Sequence, residues 1–202
     1  MIGIIDYGAG NLLSVKKAFE YIGARVKIIK ELKEAKSLQK LVLPGVGAFE
    51  AAMIKLKEKN LDKFIYDWVM ENKPFLGICL GMQLLFEKSE ESVNAKGLGI
   101  YKGKVLKFKN NRCPQIGWNQ IKIKRPVPLF DSIPDGSFLY FLHSYYVNPE
   151  EKDIEVSETE YGINYTSAIC RGSIYAVQFH PEKSGNIGIR MIINNTIATA
   201  VE

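Results

Sequence analysis

Histidine is nearly missing from this chain and cysteine is scarce. There are two histidines, His143 and His180, and three cysteines, Cys79, Cys113 and Cys170. The cysteines form no C-x-x-C pair and are odd in number, which argues against a disulfide framework and fits a reducing compartment, the cytoplasm. With so few candidate ligands and no cluster of them, neither a metal nor a cofactor is expected. No apolar run reaches the roughly 20 residues of a membrane-spanning helix, and Met1 leads into an apolar segment without a basic n-region, so no secretory signal is expected. Charge of one sign does not gather either. The net charge of +5 comes from lysines spread among glutamates, which describes a solvated surface rather than a nucleic-acid stripe. Internal repeats, low-complexity tracts and linkers are absent, and residues 1–202 are expected to form one domain.

What is present is strand–helix alternation, then a change of character. Ile2–Ile5, Val26–Ile29, Leu41–Leu43 and Phe75–Ile78 are short apolar runs fit for buried strands. Between them, Leu12, Val15, Phe19 and Ile22 recur at helical spacing, with Gly23 as a stop. Ala48–Glu58 and the face Leu61, Phe64, Ile65, Trp68, Val69 do the same. The second half carries strand-like runs at 105–108, 120–123, 138–142, 154–160, 167–171 and 173–179, separated by Gly, Pro and Asn turns, and a closing helix at 187–200. The expectation is an α/β fold with a mostly parallel central sheet, helices on its faces and antiparallel additions. In such sheets the functional crevice lies at the carboxyl ends of the strands.

The chain is organised around Pro74–Phe86. The apolar run 75–78 leads through Gly77-x-Cys79-x-Gly81 into a helix-compatible segment at 82–87, a cysteine version of the nucleophile elbow. A nucleophile on a sharp strand-to-helix turn leaves no room for neighbouring side chains, hence the glycines. Helix-start amides favour a thiolate, and the Leu80 amide is placed to hold an oxyanion. By itself the motif also describes a buried structural cysteine. The tie is broken by His180-Pro181-Glu182, which follows a strand. Pro181 biases His180 toward extended geometry, and residues two apart in an extended chain point the same way. Glu182 can then orient the imidazole as a base toward a thiol.

Gly77–Gln83, with Pro44-Gly45-Val46-Gly47 upstream and His180-Pro181-Glu182 downstream, resembles the class I, triad-type glutamine amidotransferases. Asp6–Leu12, Pro114–Asn119, His143–Tyr145 and His180–Ser184 are similar to the glutaminase subunits of imidazole glycerol phosphate synthase. The resemblance implies a triad of Cys79, His180 and Glu182 and an oxyanion site at Val46, Gly47 and Leu80. It also implies glutamine contacts at Gln83, Glu91, Ser144 and Tyr145. It further implies a cytoplasmic heterodimer with a (β/α)8-barrel cyclase subunit, reached through Asn11, Trp118, Tyr140 and Lys183, into which ammonia passes for histidine biosynthesis. His143 is expected to be structural. One departure stands out: the family usually shows Pro-His where this chain has Pro114-Gln115, in a segment expected to face the partner. That keeps open a paralogous subunit feeding a surface-sugar amidotransferase. A stand-alone thiol hydrolase and a non-catalytic binding subunit remain as other classes.

Overall fold

In the computed structural model, residues 1–8, 10–109 and 112–197 are described. The first half alternates as expected: β1 (Ile2–Ile5), α1 (Leu12–Tyr21), β2 (Val26–Ile29), β3 (Lys40–Gly45), α2 (Phe49–Glu58), α3 (Leu61–Met70), β4 (Phe75–Cys79) and α4 (Leu80–Gln83). Then come β5 (Phe86–Ser89), β6 (Ser92–Lys96), β7 (Tyr101–Lys107), β8 (Gln115–Gln120), β9 (Lys122–Ile123), β10 (Phe138–His143) and β11 (Tyr145–Pro149). The chain closes with β12 (Glu155–Glu160), β13 (Asn164–Arg171), β14 (Ile174–Val177) and α5 (Gly185–Ile197). Positions 198–200 of the expected closing helix, and Ala9 of the first loop, lie outside the described residues.

Among the described residues the main sheet runs β2-β1-β3-β4-β14-β13-β11-β7-β5-β6, with β12 and β9 branching from β13. The pairs from β2 to β14 are parallel, and β14 to β13, β13 to β11 and β11 to β7 are antiparallel. This is the expected parallel centre with antiparallel additions. β8 and β10 form a separate two-stranded ribbon.

Strand alternation decides which helix covers which face. Ile4, Val42, Leu76 and Val177 point to one side, where Val15 and Phe19 of α1 and Met191 and Ile192 of α5 cover them. Ile5, Leu43, Phe75 and Ala176 point to the other, against Phe49, Met53 and Leu56 of α2 and Leu61, Ile65 and Trp68 of α3. The centre is therefore sealed on both faces, and only the strand ends remain for chemistry. Register aligns those ends: Gly45 of β3 pairs with Cys79 of β4, and Val177 of β14 with Ile78.

Three expectations need correction. The helix read at 82–87 is a single turn, Leu80–Gln83, and Phe86 to Ser89 is a strand. Leu84 and Leu85 are buried like their neighbours, so the apolar run is core on all sides and carries no helical stripe. Pro114–Asn119, for which no strand was expected, is mostly strand β8. Tyr145–Pro149 is a strand that was not anticipated.

Candidate active site

Cys79 closes β4 and opens α4 with φ +54°, a left-handed conformation rare for a side chain with a Cβ. The flanking glycines are there for space. A Cβ on Gly81 would lie 1.8 Å from the Leu43 carbonyl oxygen of β3, and one on Gly77 2.9 Å from the Gly81 oxygen. With α4 only one turn long, a macrodipole contributes little at the sulfur. The local amides of the elbow carry that role.

His180 sits just past β14, held by its N–H donating to the Tyr140 carbonyl at 2.9 Å. Its Nδ1 meets Glu182 Oε1 at 2.8 Å. The route to that contact differs from the extended dipeptide expected. Pro181–Lys183 is a single 3-10 turn, closed by Lys183 N–H donating to the His180 carbonyl, which also accepts from Ser184 Oγ at 2.6 Å. Proline at its first position presets the turn. His180 Nε2 is buried, near enough to Cys79 for the two to interact electrostatically, and makes no hydrogen bond of good geometry. Burial pulls the His180 pKa down, but the Cys79 and Glu182 side chains outweigh it and push the imidazole up to about 10.

A cavity of about 280 Å³ opens on Cys79, lined by Val46, Gly47, Leu80, Gln83, Glu91, His143, Ser144 and Tyr145 among others. The expected oxyanion and substrate residues thus converge on one space. The two loop glycines serve different ends. Gly47 has φ +94° and open space around it, whereas a Cβ on Gly45 would fall 2.8 Å from both Leu80 Cβ and the Tyr7 hydroxyl. Only Gly47 supplies conformational freedom. Glu91 accepts from the Phe49 N–H at 2.8 Å, tying the first turn of α2 to the cavity wall. Gln83 gives its amide NH₂ to the Tyr145 carbonyl (2.9 Å) and to Gln178 Oε1 (3.0 Å), leaving only its oxygen for a ligand. His143 is structural as expected: Nδ1 meets the Tyr145 carbonyl at 2.8 Å and Nε2 the Tyr165 hydroxyl at 3.2 Å.

Two neighbours of the sulfur had been passed over. Gln178, fully buried, directs its NH₂ at Cys79 Sγ, 3.6 Å away. Tyr7, in the loop after β1, has a buried hydroxyl with no partner. Burial, with Cys79 close by, pushes the Tyr7 pKa far above the ordinary phenol range.

Among the described residues no group of His, Cys, Asp and Glu is placed to hold a metal ion, and no helix is long and apolar enough to cross a membrane. A thiol, an imidazole backed by a carboxylate, and loop amides around one cavity are the parts required for acyl transfer through a thioester.

The family model for class-I glutamine amidotransferases matches residues 3–199. The chain belongs to that family. The amidotransferase is 51% identical to the imidazole glycerol phosphate synthase subunit HisH of Methanocaldococcus jannaschii, over 96% of this chain and 97% of the relative. It is 49% identical to the protein of the same name from Caldanaerobacter subterraneus, over 96% of each chain. A solved structure described as a glutamine amidotransferase superposes on the fold with a TM-score of 0.78, at 16% identity and 99% coverage of both chains.

The residues assigned to a partner surface fall mostly together on the amidotransferase. Trp118 of β8 stacks edge-on to Tyr140 of β10 at 6.2 Å, and Lys183 Nζ lies 5.6 Å from the Tyr140 ring. Ile116 and Phe138 stand exposed on the same ribbon and extend the patch. Asn11 has a local duty, its side chain accepting from Ser14 N–H to cap α1; α1 packs on the turn that carries Lys183. The departure at Gln115 belongs elsewhere. Its side chain is buried, with its amide 2.9 Å from the Tyr165 hydroxyl, and does not reach the exposed face of the ribbon.

Proposed function

We propose that residues 1–202 act as one glutaminase domain, the ammonia-producing subunit of an imidazole glycerol phosphate synthase. The observation that carries the reading is the meeting of two distant segments, Cys79 at the end of β4 and the His180–Glu182 pair after β14, with Cys79 opening on a cavity at the carboxyl edge of the sheet. The Cys79 thiolate attacks the side-chain amide carbon of glutamine. The oxyanion is held by the Leu80 amide and an amide of the Val46–Gly47 loop. His180, oriented by Glu182, protonates the departing nitrogen, releasing ammonia and leaving a glutamyl thioester. His180 then takes a proton from water, which attacks the thioester to give glutamate and restore the thiol.

Gln83 and Glu91 border the cavity where the rest of the glutamine would lie, with Glu91 facing its α-ammonium and the Ser144–Tyr145 backbone its α-carboxylate. Ammonia passes to a (β/α)8-barrel cyclase subunit docked on the patch of Trp118, Tyr140 and Lys183, in a cytoplasmic heterodimer. Gln115 had been the reason to consider a surface-sugar paralogue. Its side chain faces inward, and the relatives named as imidazole glycerol phosphate synthase subunits at 49% and 51% identity support the histidine-pathway reading.

A glutamine-mimicking diazo-ketone tests the nucleophile. We expect one covalent label, on Cys79 and on neither Cys113 nor Cys170, and a loss of roughly 10⁴-fold in glutamine turnover in Cys79→Ala. Label spread over all three thiols would sink the assignment.

A further inference from the structure

The cavity wall contains a run of amides whose polarity is fixed from one end. The Tyr145 main-chain carbonyl can only accept, so the group facing it at 2.9 Å must be the NH₂ of Gln83. That same NH₂ gives its second hydrogen at 3.0 Å to the next residue in line, which must therefore present its oxygen, Oε1 of Gln178. Once that oxygen faces Gln83, the NH₂ of Gln178 has one direction left. It points at Cys79 Sγ, 3.6 Å away. Neither glutamine can flip alone without setting two oxygens or two NH₂ groups against each other. Gln178 is fully buried, so water offers it no alternative partner.

We infer that Gln178, oriented through Gln83 by the Tyr145 carbonyl, is a dedicated hydrogen-bond donor to the nucleophilic sulfur that favours its thiolate form. A thiolate accepts strongly, whereas a thiol accepts weakly and must place its own hydrogen elsewhere. A donor that cannot turn away therefore acts on the two forms unequally. Cys79 in its thiol form can give its own hydrogen to the Leu142 carbonyl at 3.7 Å. The arrangement also joins the substrate wall to the nucleophile, because Gln83 belongs to both. This goes beyond the proposed triad and rests on Cys79 being its nucleophile.

The titratable groups around the sulfur are His180 backed by Glu182, the phenols of Tyr7 and Tyr165, and His143 beside His180. None is altered in Gln178→Met or Gln83→Met, so a shift in their profiles reports the amide; Gln178→Glu adds a carboxylate of its own beside the sulfur.

The experiment is alkylation by iodoacetamide as a function of pH, read by mass spectrometry on the peptide that contains Cys79, with folding followed by circular dichroism and melting temperature. It needs neither glutamine nor a partner protein. Gln178→Met keeps the length and removes the donor; Gln178→Glu keeps the shape and replaces the donor with an acceptor. At neutral pH we expect alkylation to slow by about tenfold in Gln178→Met and further in Gln178→Glu, with the acid limb of both profiles displaced to higher pH. The uncharged Gln178→Met is the deciding variant: a merely structural role would not displace its profile at unchanged circular dichroism and melting temperature.

Should either Gln178 variant fail to fold, Gln83→Met decides. It leaves Gln178 in place but removes what orients it, and is expected to displace the profile in the same direction by less. Profiles that superimpose on that of the unaltered chain, with Cys79 still labelled, overturn the inference and leave the triad standing. Failure of Cys79 to alkylate in the unaltered chain overturns both.

Discussion

His143 is neutral because it is buried, and that has a measurable cost in acid. Burial lowers its pKa to about 4 from an ordinary value of 6.5, with His180 nearby acting in the same direction against the hydrogen bond to Tyr145. Between those two values the unfolded chain binds a proton that the folded chain refuses, so stability falls as pH drops from about 6.5 to about 4. The denaturant midpoint is expected to fall through that window, with a visibly shallower pH slope in His143→Gln; identical slopes would show that the ring does not stay neutral in the fold.

Tyr7 gives a prediction of opposite character. Its buried hydroxyl has no partner, so Tyr7→Phe should keep or raise the melting temperature, by the equivalent of about 1 kcal/mol at most. A drop of several degrees would reveal a hydrogen bond there. In the proposed triad Glu182 only orients and stabilises His180, so Glu182→Gln is expected to lose less glutamine turnover than Cys79→Ala at unchanged circular dichroism. The meeting of Cys79 with the His180–Glu182 pair was legible in the sequence because motif and chain order announce it. Gln178 was not, because a polar residue inside an apolar run carries no pattern; nor was Tyr7, in the loop after β1, because its neighbour Cys79 is distant in the chain.

At the scale of elements, the sequence was most readable where one periodicity held for a whole segment. β1, β2 and the three helices from α1 to α3 fall within a residue or so of their expected places. It failed after the elbow, where Met82, Leu84, Leu85 and Phe86 are all buried and neither a helical nor a strand period shows through complete burial. The elbow also owes its shape to an element far away in sequence. Gly81 is required by the Leu43 carbonyl of β3, since any Cβ would overlap it at 1.8 Å. Gly81→Ala should therefore push α4 off β3, costing roughly 1–3 kcal/mol or more by overpacking together with nearly all Cys79 labelling. Normal labelling in a folded Gly81→Ala chain would mean that β3 yields without disturbing the elbow.

For the molecule as a whole, the exposed patch of Ile116, Trp118 and Phe138 beside Tyr140 and Lys183 is where affinity for a barrel partner should reside. Trp118→Ala is expected to weaken that association roughly 30-fold, as for a central aromatic anchor, while diazo-ketone labelling of the isolated chain is unchanged. Hydrolysis without an acceptor wastes glutamine, and one oxyanion donor is worth about 10²–10³ in kcat. We expect slow glutamate release from the isolated chain and a rise of that size, in kcat far more than in KM, when the barrel and its nucleotide ligand are added. Full turnover by the isolated chain would count against such gating and favour a stand-alone hydrolase.

The loop proposed to supply that donor is pinned at both ends. Gly45 is fixed in register against Cys79, and the Phe49 N–H is anchored by Glu91 across the cavity. Only Val46, Gly47 and Ala48 lie between. With its ends clamped, this stretch behaves like a crankshaft: a peptide plane can rotate through compensating changes in neighbouring dihedrals while both bearings stay still. Reorientation would then leave the sheet, α2 and the nucleophile where they are, and its trace in hydrogen exchange would be confined to the amides of those three residues. Because one bearing is Glu91, whatever cation settles against that carboxylate also loads the shaft.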